Sequence, residues 1–191
     1  DLRSDRFRQV FRGVHVVADA RDSLELRARA ALLVHPEGAC LSHTTAAALL
    51  GLPVDSDDIH VTVPRAKDRR RRDGIVNHVD SCPTRRTRGM PVATGARLFL
   101  QLAQTLSLVD LVVAGDAMVR KELVTPAELR AATASKKGAV GTRARGAAKL
   151  VRAAVDSPME TRLRLLLVFA GFPEPTINHR IRNHLGDVVL R

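Results

Sequence analysis

The segment IHVTVPRAKDRRRRDGIVNHV, residues 59–79, restricts the fold more than any other part of the chain. Two alternating, β-branched runs flank four consecutive arginines, Arg69 to Arg72. Such runs form strands of a half-buried or buried sheet. Four adjacent guanidinium groups cannot follow them into a core, because each buried charge would need its own partner. The spacing therefore predicts two strands, within 58–64 and 74–80, joined over the surface as a hairpin. Its loop carries Arg65, Lys67, Arg69, Arg70, Arg71 and Arg72. A protruding basic hairpin is a wing-like device that can follow a phosphate backbone, its arginines supplying affinity and other residues the sequence readout.

Charge elsewhere sharpens that reading. The 191 residues carry a formal net charge of +11, and it is concentrated. Residues 65–88 hold a net +6, and residues 130–152 a net +7 with no carboxylate; Lys136, Lys137, Arg143 and Arg145 lie in the second group. Two basic patches on a nearly neutral scaffold point to a polyanion, with double-stranded DNA the first candidate and a ribosome- or RNA-associated scaffold another. The competing reading of each patch is a solvated turn or a solvated helix face. With 3% aromatic residues and neither Trp nor Tyr, the composition argues against a base-stacking platform for single strands. No apolar run approaches the roughly 20 residues a membrane-spanning helix needs. Cys40 and Cys82 are distant in sequence and lack CxxC spacing, which argues against a disulfide framework or a zinc site and fits a cytoplasmic protein. His15, His60, His78 and His179 occur singly within apparent strands and read as surface or hydrogen-bonded histidines.

An α+β fold follows from the pattern along the chain. FRQVFRGVHVVAD (7–19) alternates and then turns at Asp19, and Gly13 within it suggests a strand pair or a bulge and not a helix. A helix capped by Asp22 or Ser23 then sets Leu24, Ala28, Ala31, Leu32 and Leu33 toward the core, and Pro36 ends it. Ser42 opens a small-residue helix that stops at Gly51. Residues 95–123 contain two helices, and SKKGAVGTRARGAA, rich in glycine and basic residues, reads as a linker running into a basic helix. PTINHRI and VVLR predict a final strand pair. These features divide the chain into 1–134, a basic linker and helix at 135–156, and 157–191.

The grammar of hydroxyl, Pro, any residue, Glu occurs twice, as TPAE (125–128) and SPME (157–160). It is the capping-box spacing, in which the hydroxyl accepts an orphan helix N–H and the Glu carboxylate reaches back. On local pattern Glu160 is a cap like Glu128. A catalytic or metal-binding carboxylate is the alternative.

SPMETRLRLLLVFAGFPEPTINHRI, followed by a glycine and a strand, resembles the opening of the Vsr-like endonuclease domain found in actinobacterial proteins, within the PD-(D/E)XK superfamily. FRGVHV, LSHTTAAALLGLP, IHVTVP, GMPVATGARLFLQLA and GDAMVRKELVTPAEL resemble the AbiEi-type antitoxin region that precedes it. Together the two resemblances span nearly the whole chain. They imply a mainly helical N-terminal part with short wing-like hairpins, then the first helix and hairpin of an α/β restriction-endonuclease-like domain. They also imply duplex DNA as partner, a toxin as second partner, and Glu160 as a catalytic residue and Mg²⁺ ligand beside Arg162 and Arg164. The superfamily's essential Asp and its Glu-x-Lys do not occur before Arg191, and Asp187 reads as a turn residue. The expectation is a chain trimmed at both ends, without Mg²⁺ of its own and inactive alone, hydrolysing phosphodiesters only if further strands complete the domain. The alternative is an antitoxin-like repressor without catalysis. His15 and Gln101 depart from the family pattern, which shows Tyr and Asp there.

Overall fold

A computed structural model describes residues 6–179, 181–183 and 187–190. Its residues gather into two units, Asp1–Leu102 and Ala103–Arg191. The fold is α+β, as its sequence pattern requires. None of the described helices is long and apolar enough to cross a membrane.

The first unit opens with an antiparallel pair, β1 (Phe7–Phe11) and β2 (Val14–Val17), turning at Gly13, whose φ of +84° suits a residue without Cβ. Helix α1 (Leu24–Leu33) follows, with the Ser23 hydroxyl accepting the Leu26 N–H at 3.1 Å. Ala28 and Ala31 are fully buried, but Leu33, expected in the core, is 77% exposed. It lies in the last turn of a helix whose buried stripe consists of alanines.

Next come β3 (Cys40–Leu41), α2 (His43–Leu49), β4 (Ile59–Val63), a 3-10 turn at Ala66–Asp68, β5 (Ile75–Val79), β6 (Thr84–Thr87), β7 (Met90–Ala93) and α3 (Gly95–Leu102). The strands make one mixed sheet in the order β5-β4-β3-β7-β6. The hairpin expected at 58–80 does not form: β4 and β5 are parallel, with Ile59 opposite Ile75 and Thr62 opposite His78. The antiparallel neighbour of β4 is β3, where Cys40 faces Thr62 and Leu41 faces Val61. Parallel pairing needs a connection long enough to return to the strand's starting end. Residues 64–74 make that return, so the arginine run is a crossover and not a wing. Parallel strands are characteristically buried on both faces, and β4 is: Ile59, Val61 and Val63 are inaccessible, and so, at 1% exposure, is Thr62. Leu98, Phe99 and Leu102 of α3 are likewise buried in this unit; each such side chain contributes about 1.5–3 kcal/mol.

The second unit holds α4 (Leu108–Arg120), α5 (Pro126–Ala134), α6 (Gly138–Leu150), α7 (Pro158–Phe169) and an antiparallel pair, β8 (Ile181–Arg182) and β9 (Val188–Leu190). Ser107, Thr125 and Ser157 each accept the backbone N–H three residues on, at Asp110, Glu128 and Glu160. The expected boundary at 134–135 falls inside this unit, and of the basic linker and helix expected at 135–156 the helix is present as α6, beginning already at Gly138. Helix α6 packs against α4 and α5 with Ala144, Ala147 and Ala148 fully buried. One of its glycines serves close approach: a Cβ at Gly141 would stand 2.5 Å from the Lys136 carbonyl. PTINHRI supplies only the short β8, and residues 175–179 are irregular.

Buried at the centre of α4 and α7 is an ionic group. Asp116 and Arg164, 2% and 3% exposed, pair at 2.9 Å. Asp116 also accepts the Thr161 hydroxyl and the Arg152 N–H, each at 2.8 Å, and Arg164 reaches Glu174 at 3.0 Å. Helix α7 turns Met159, Leu163, Leu166 and Phe169 to solvent.

Candidate nucleic-acid interface

The crossover between β4 and β5 is held in shape by one side chain. Asn77 of β5 accepts the Arg70 N–H at 3.1 Å and donates to the Arg70 carbonyl at 3.0 Å, imitating a strand partner. Its Oδ1 also lies 2.7 Å from His35 Nε2. Arg65 pairs with Asp68 at 2.8 Å across the 3-10 turn. The Arg70 guanidinium folds back on the carbonyls of Lys67 and Arg69, each at 3.2 Å, and Lys67 is exposed. The remaining arginines of the run turn toward a cleft of about 500 Å³, lined by Arg69, Arg71 and Arg72 with Asp73, Ile75 and Asn77, and by Arg12 from the turn between β1 and β2. Arg72 Nε donates to the Arg12 carbonyl at 3.3 Å, tying the two segments together. Four guanidinium groups against one carboxylate make a concave cationic surface. Arg12 was not singled out by the sequence reading, since nothing local joins it to residues sixty positions later.

The second basic group divides by role. Arg143 donates to the carbonyls of Ala103 and Leu106, at 3.0 and 3.3 Å. Arg145 donates to the Lys136 carbonyl and to Thr142 Oγ1. Both guanidinium groups thus serve helix ends that lack intrahelical partners. Lys137 is exposed and Lys136 half-buried.

Glu160 sits in a helix cap. Its carboxylate accepts the Asp156 N–H at 3.1 Å and the Ser157 hydroxyl at 2.9 Å, while Ser157 Oγ accepts the Glu160 N–H at 3.2 Å. Thr125 and Glu128 form the full capping box at the other occurrence. Glu160 also borders a cleft of about 530 Å³ with Arg164 and Leu167, but among the described residues it joins no group of three metal-ligating side chains. Arg162 pairs with Asp110 at 2.7 Å and Arg164 with Asp116 and Glu174, so both are bound within the helices. Asp187 donates its N–H to Asn183 Oδ1 at 2.9 Å, a turn contact.

On the sheet face opposite Ile59 and Val61, the register gathers polar residues that sequence spacing kept apart. Ser42 extends β3, its N–H donating to the His60 carbonyl, and Cys40, Thr62 and His78 fall in one row. His43, His60 and His78 stack, with centroids 3.6 Å apart for His43 and His78 and 5.4 Å for His43 and His60. His60 Nδ1 and His78 Nε2 share a hydrogen bond of 2.9 Å, and His43 Nδ1 lies 3.0 Å from Ser42 Oγ. One ring nitrogen from each of the three lies within 4.8 Å of the others. Burial lowers the pKa of His60, Asp58 partly opposing it. Burial, then His60 and Arg69, push His78 down to about 4. His43 is 1% exposed and has a φ of +50°, a left-handed conformation that costs a residue bearing a Cβ about 1–3 kcal/mol. The alternation of His60 and His78 along their runs was the only sequence signal of this cluster; the third member comes from a helix.

The two cysteines also meet. Cys40 and Cys82 are reduced, with their sulfurs 3.5 Å apart. The hydrogen bond from the Cys40 thiol lowers the Cys82 pKa to about 7, helped by Gln101 and Arg97 against burial and Asp80. The same bond and burial raise Cys40. Arg97 is paired with Asp80 through both carboxylate oxygens.

No family model matches the chain, and no curated protein matches it. Among solved structures it is similar to the crystal structure of the RV2827C protein from Mycobacterium tuberculosis, with a TM-score of 0.50 and 16% identity over 93% of this chain and 73% of that one. At that identity the likeness bears on the α+β architecture alone.

Proposed function

We propose that this chain binds double-stranded DNA through the cationic cleft of its first unit, as an AbiEi-like, non-catalytic DNA-binding protein. The observation that carries the reading is the convergence of Arg12, Arg69, Arg71 and Arg72 on one cleft with a single carboxylate. Arginine forks donate bidentately to phosphate, and the Asn77 clamp holds the run in place before any ligand arrives. The endonuclease form rests on sequence resemblance, and the geometry of Glu160 supports a cap. Protein partners of the antitoxin kind follow from the resemblance only.

The test is fluorescence anisotropy on duplex DNA across a salt series. Wild-type chain is expected to show log affinity falling linearly with log salt, by about 0.9 per phosphate contact. The double substitution Arg69→Ala, Arg71→Ala is expected to flatten that slope by about 2 with thermal stability unchanged. Lys137→Ala serves as a control outside the cleft. An unaltered slope in the double variant would sink the proposal. Incubation with duplex and Mg²⁺ is expected to leave the DNA intact; cleavage abolished by Glu160→Ala would restore the nuclease reading.

A further inference from the structure

The face of the sheet that carries His60 and His78 is not needed for the DNA-binding reading, and its chemistry is different. We propose that His43, His60 and His78 form a three-imidazole site for a first-row divalent transition ion, of which zinc fits best, with a fourth position open to water.

Three features support it. First, donors converge from three separate elements, α2, β4 and β5, to within 4.8 Å of one another, which no local motif dictates. Zinc bonds imidazole nitrogen at about 2.0–2.1 Å, which sets two such nitrogens about 3.3 Å apart on a tetrahedral ion. The His60–His78 pair at 2.9 Å has to open, and His43, stacked on His78 with centroids 3.6 Å apart, has to turn its ring so that its in-plane lone pair meets the same ion. The ring that donates in that hydrogen bond must carry its proton on its other nitrogen, so both lone pairs face the ion, and no net proton is released. Second, burial lowers the pKa of His60 and of His78, which favours the neutral ring that a metal needs. Third, His43 occupies a strained left-handed position at the start of α2 with its ring beside Ser42. Backbone strain at a ligand-bearing residue is a recurrent mark of functional sites, and a hydrogen bond on the second ring nitrogen orients a ligating histidine.

The donor set also selects the ion. Imidazoles without carboxylate suit zinc, cobalt, nickel or copper and disfavour magnesium and calcium, which demand oxygen. Asp58 acts electrostatically on His60 and Asp80 on His78, both favouring a cation, and Arg69 opposes. His60 and His78 are half-buried, not sealed, so an ion can enter and a water can remain bound. The site shares no residue with the Mg²⁺ position that the endonuclease resemblance implies at Glu160 in a completed domain.

The experiment uses the untagged full chain, dialysed against chelator and titrated calorimetrically with zinc chloride. One zinc per chain is expected. His60→Gln and His78→Gln should each weaken it by about 100-fold or more, while the double variant Cys40→Ser, Cys82→Ser should keep the wild-type affinity. Magnesium chloride should give no heat. Because a glutamine variant can also lose its fold, long-range nitrogen–proton spectra of the wild-type imidazoles provide an independent readout. Zinc should move the ring nitrogens of His43, His60 and His78 and leave the other four of the seven histidines in place. The proposal is overturned by absence of zinc binding, by binding that survives in His60→Gln, by loss of binding in the cysteine variant, or by shifts at other histidines.

Discussion

At the scale of single residues, charge pairing in the second unit decides more than any cap. Asp116 and Arg164 are both buried, and each is the other's neutralising partner. Burial raises the Asp116 pKa, and the Arg152 N–H, the Thr161 hydroxyl and Arg164 act against that. Asp116→Ala should therefore cost about 3–5 kcal/mol in denaturant unfolding, because it leaves the buried Arg164 guanidinium with only the part-exposed Glu174 and unpairs the Thr161 hydroxyl and the Arg152 N–H. Glu160→Ala should cost about 1 kcal/mol, the scale of a lost cap, and Glu128→Ala about the same. Equal, small losses at the two glutamates are what shared grammar demands; a large loss at Glu160 alone would mean that its cap is not its main role. Cys82 gives a pH test. Its thiolate is the reactive form, so alkylation should rise with pH through a midpoint near 7, with Cys40, 4% exposed, remaining unlabelled. Substituting Arg97 by Gln should move the midpoint upward. A midpoint at the ordinary thiol value of about 8.5 in wild type would contradict the Cys40–Cys82 contact.

At the scale of elements, glycine separates what was legible from what was not. The sequence pattern identified α1, α2, α3, α4, α5 and α7, because caps, prolines and apolar periods are local. It gives a linker running into a basic helix where α6 is helical from Gly138 on, since glycine and lysine in succession signal flexibility when no neighbour is visible. In the folded chain Gly141 is required by the Lys136 carbonyl 2.5 Å from where its Cβ would be, whereas a Cβ at Gly146 would touch Leu108 at an ordinary 3.6 Å. Gly141→Ala should thus destabilise by about 1–3 kcal/mol, although alanine is the better helix former. Gly146→Ala should stabilise by up to about 1 kcal/mol. Thermal unfolding of the two variants checks both signs, and equal signs would refute the packing argument. Strand pairing was the other failure. The runs at 58–64 and 74–80 were correctly read as strands, but direction is set by a partner, β3, of only two residues. Nothing in so short a segment announces a strand.

At the scale of the whole molecule, the excess positive charge does not act as a uniform coat. Arg65, Arg143, Arg145, Arg152, Arg162 and Arg164 are committed to carboxylates or carbonyls within the fold. Composition counted them as available to a polyanion, and geometry leaves a smaller set, centred on Arg12, Arg69 and Arg71, with Arg72 lining the same cleft while donating to the Arg12 and Arg71 carbonyls. For this reason the number of phosphate contacts inferred from salt dependence should be well below the formal charge of +11. A slope approaching that charge would show that the internal pairs open on binding. The candidate site was half legible on the same grounds: the arginine run declared itself, and its companion from the first turn did not.

The parallel pairing of β4 and β5 makes the length of the intervening segment as consequential as its content. Trading Arg69 or Arg71 for lysine alters what the loop offers a ligand and leaves the strand register as it is. Deleting one residue would pull β5 along its neighbour by a single step and invert it, sending His78 to the side now held by Asn77. Loss of a single residue from this stretch would then erase the imidazole cluster and the Asn77 clamp together, two features that no substitution within the run touches directly.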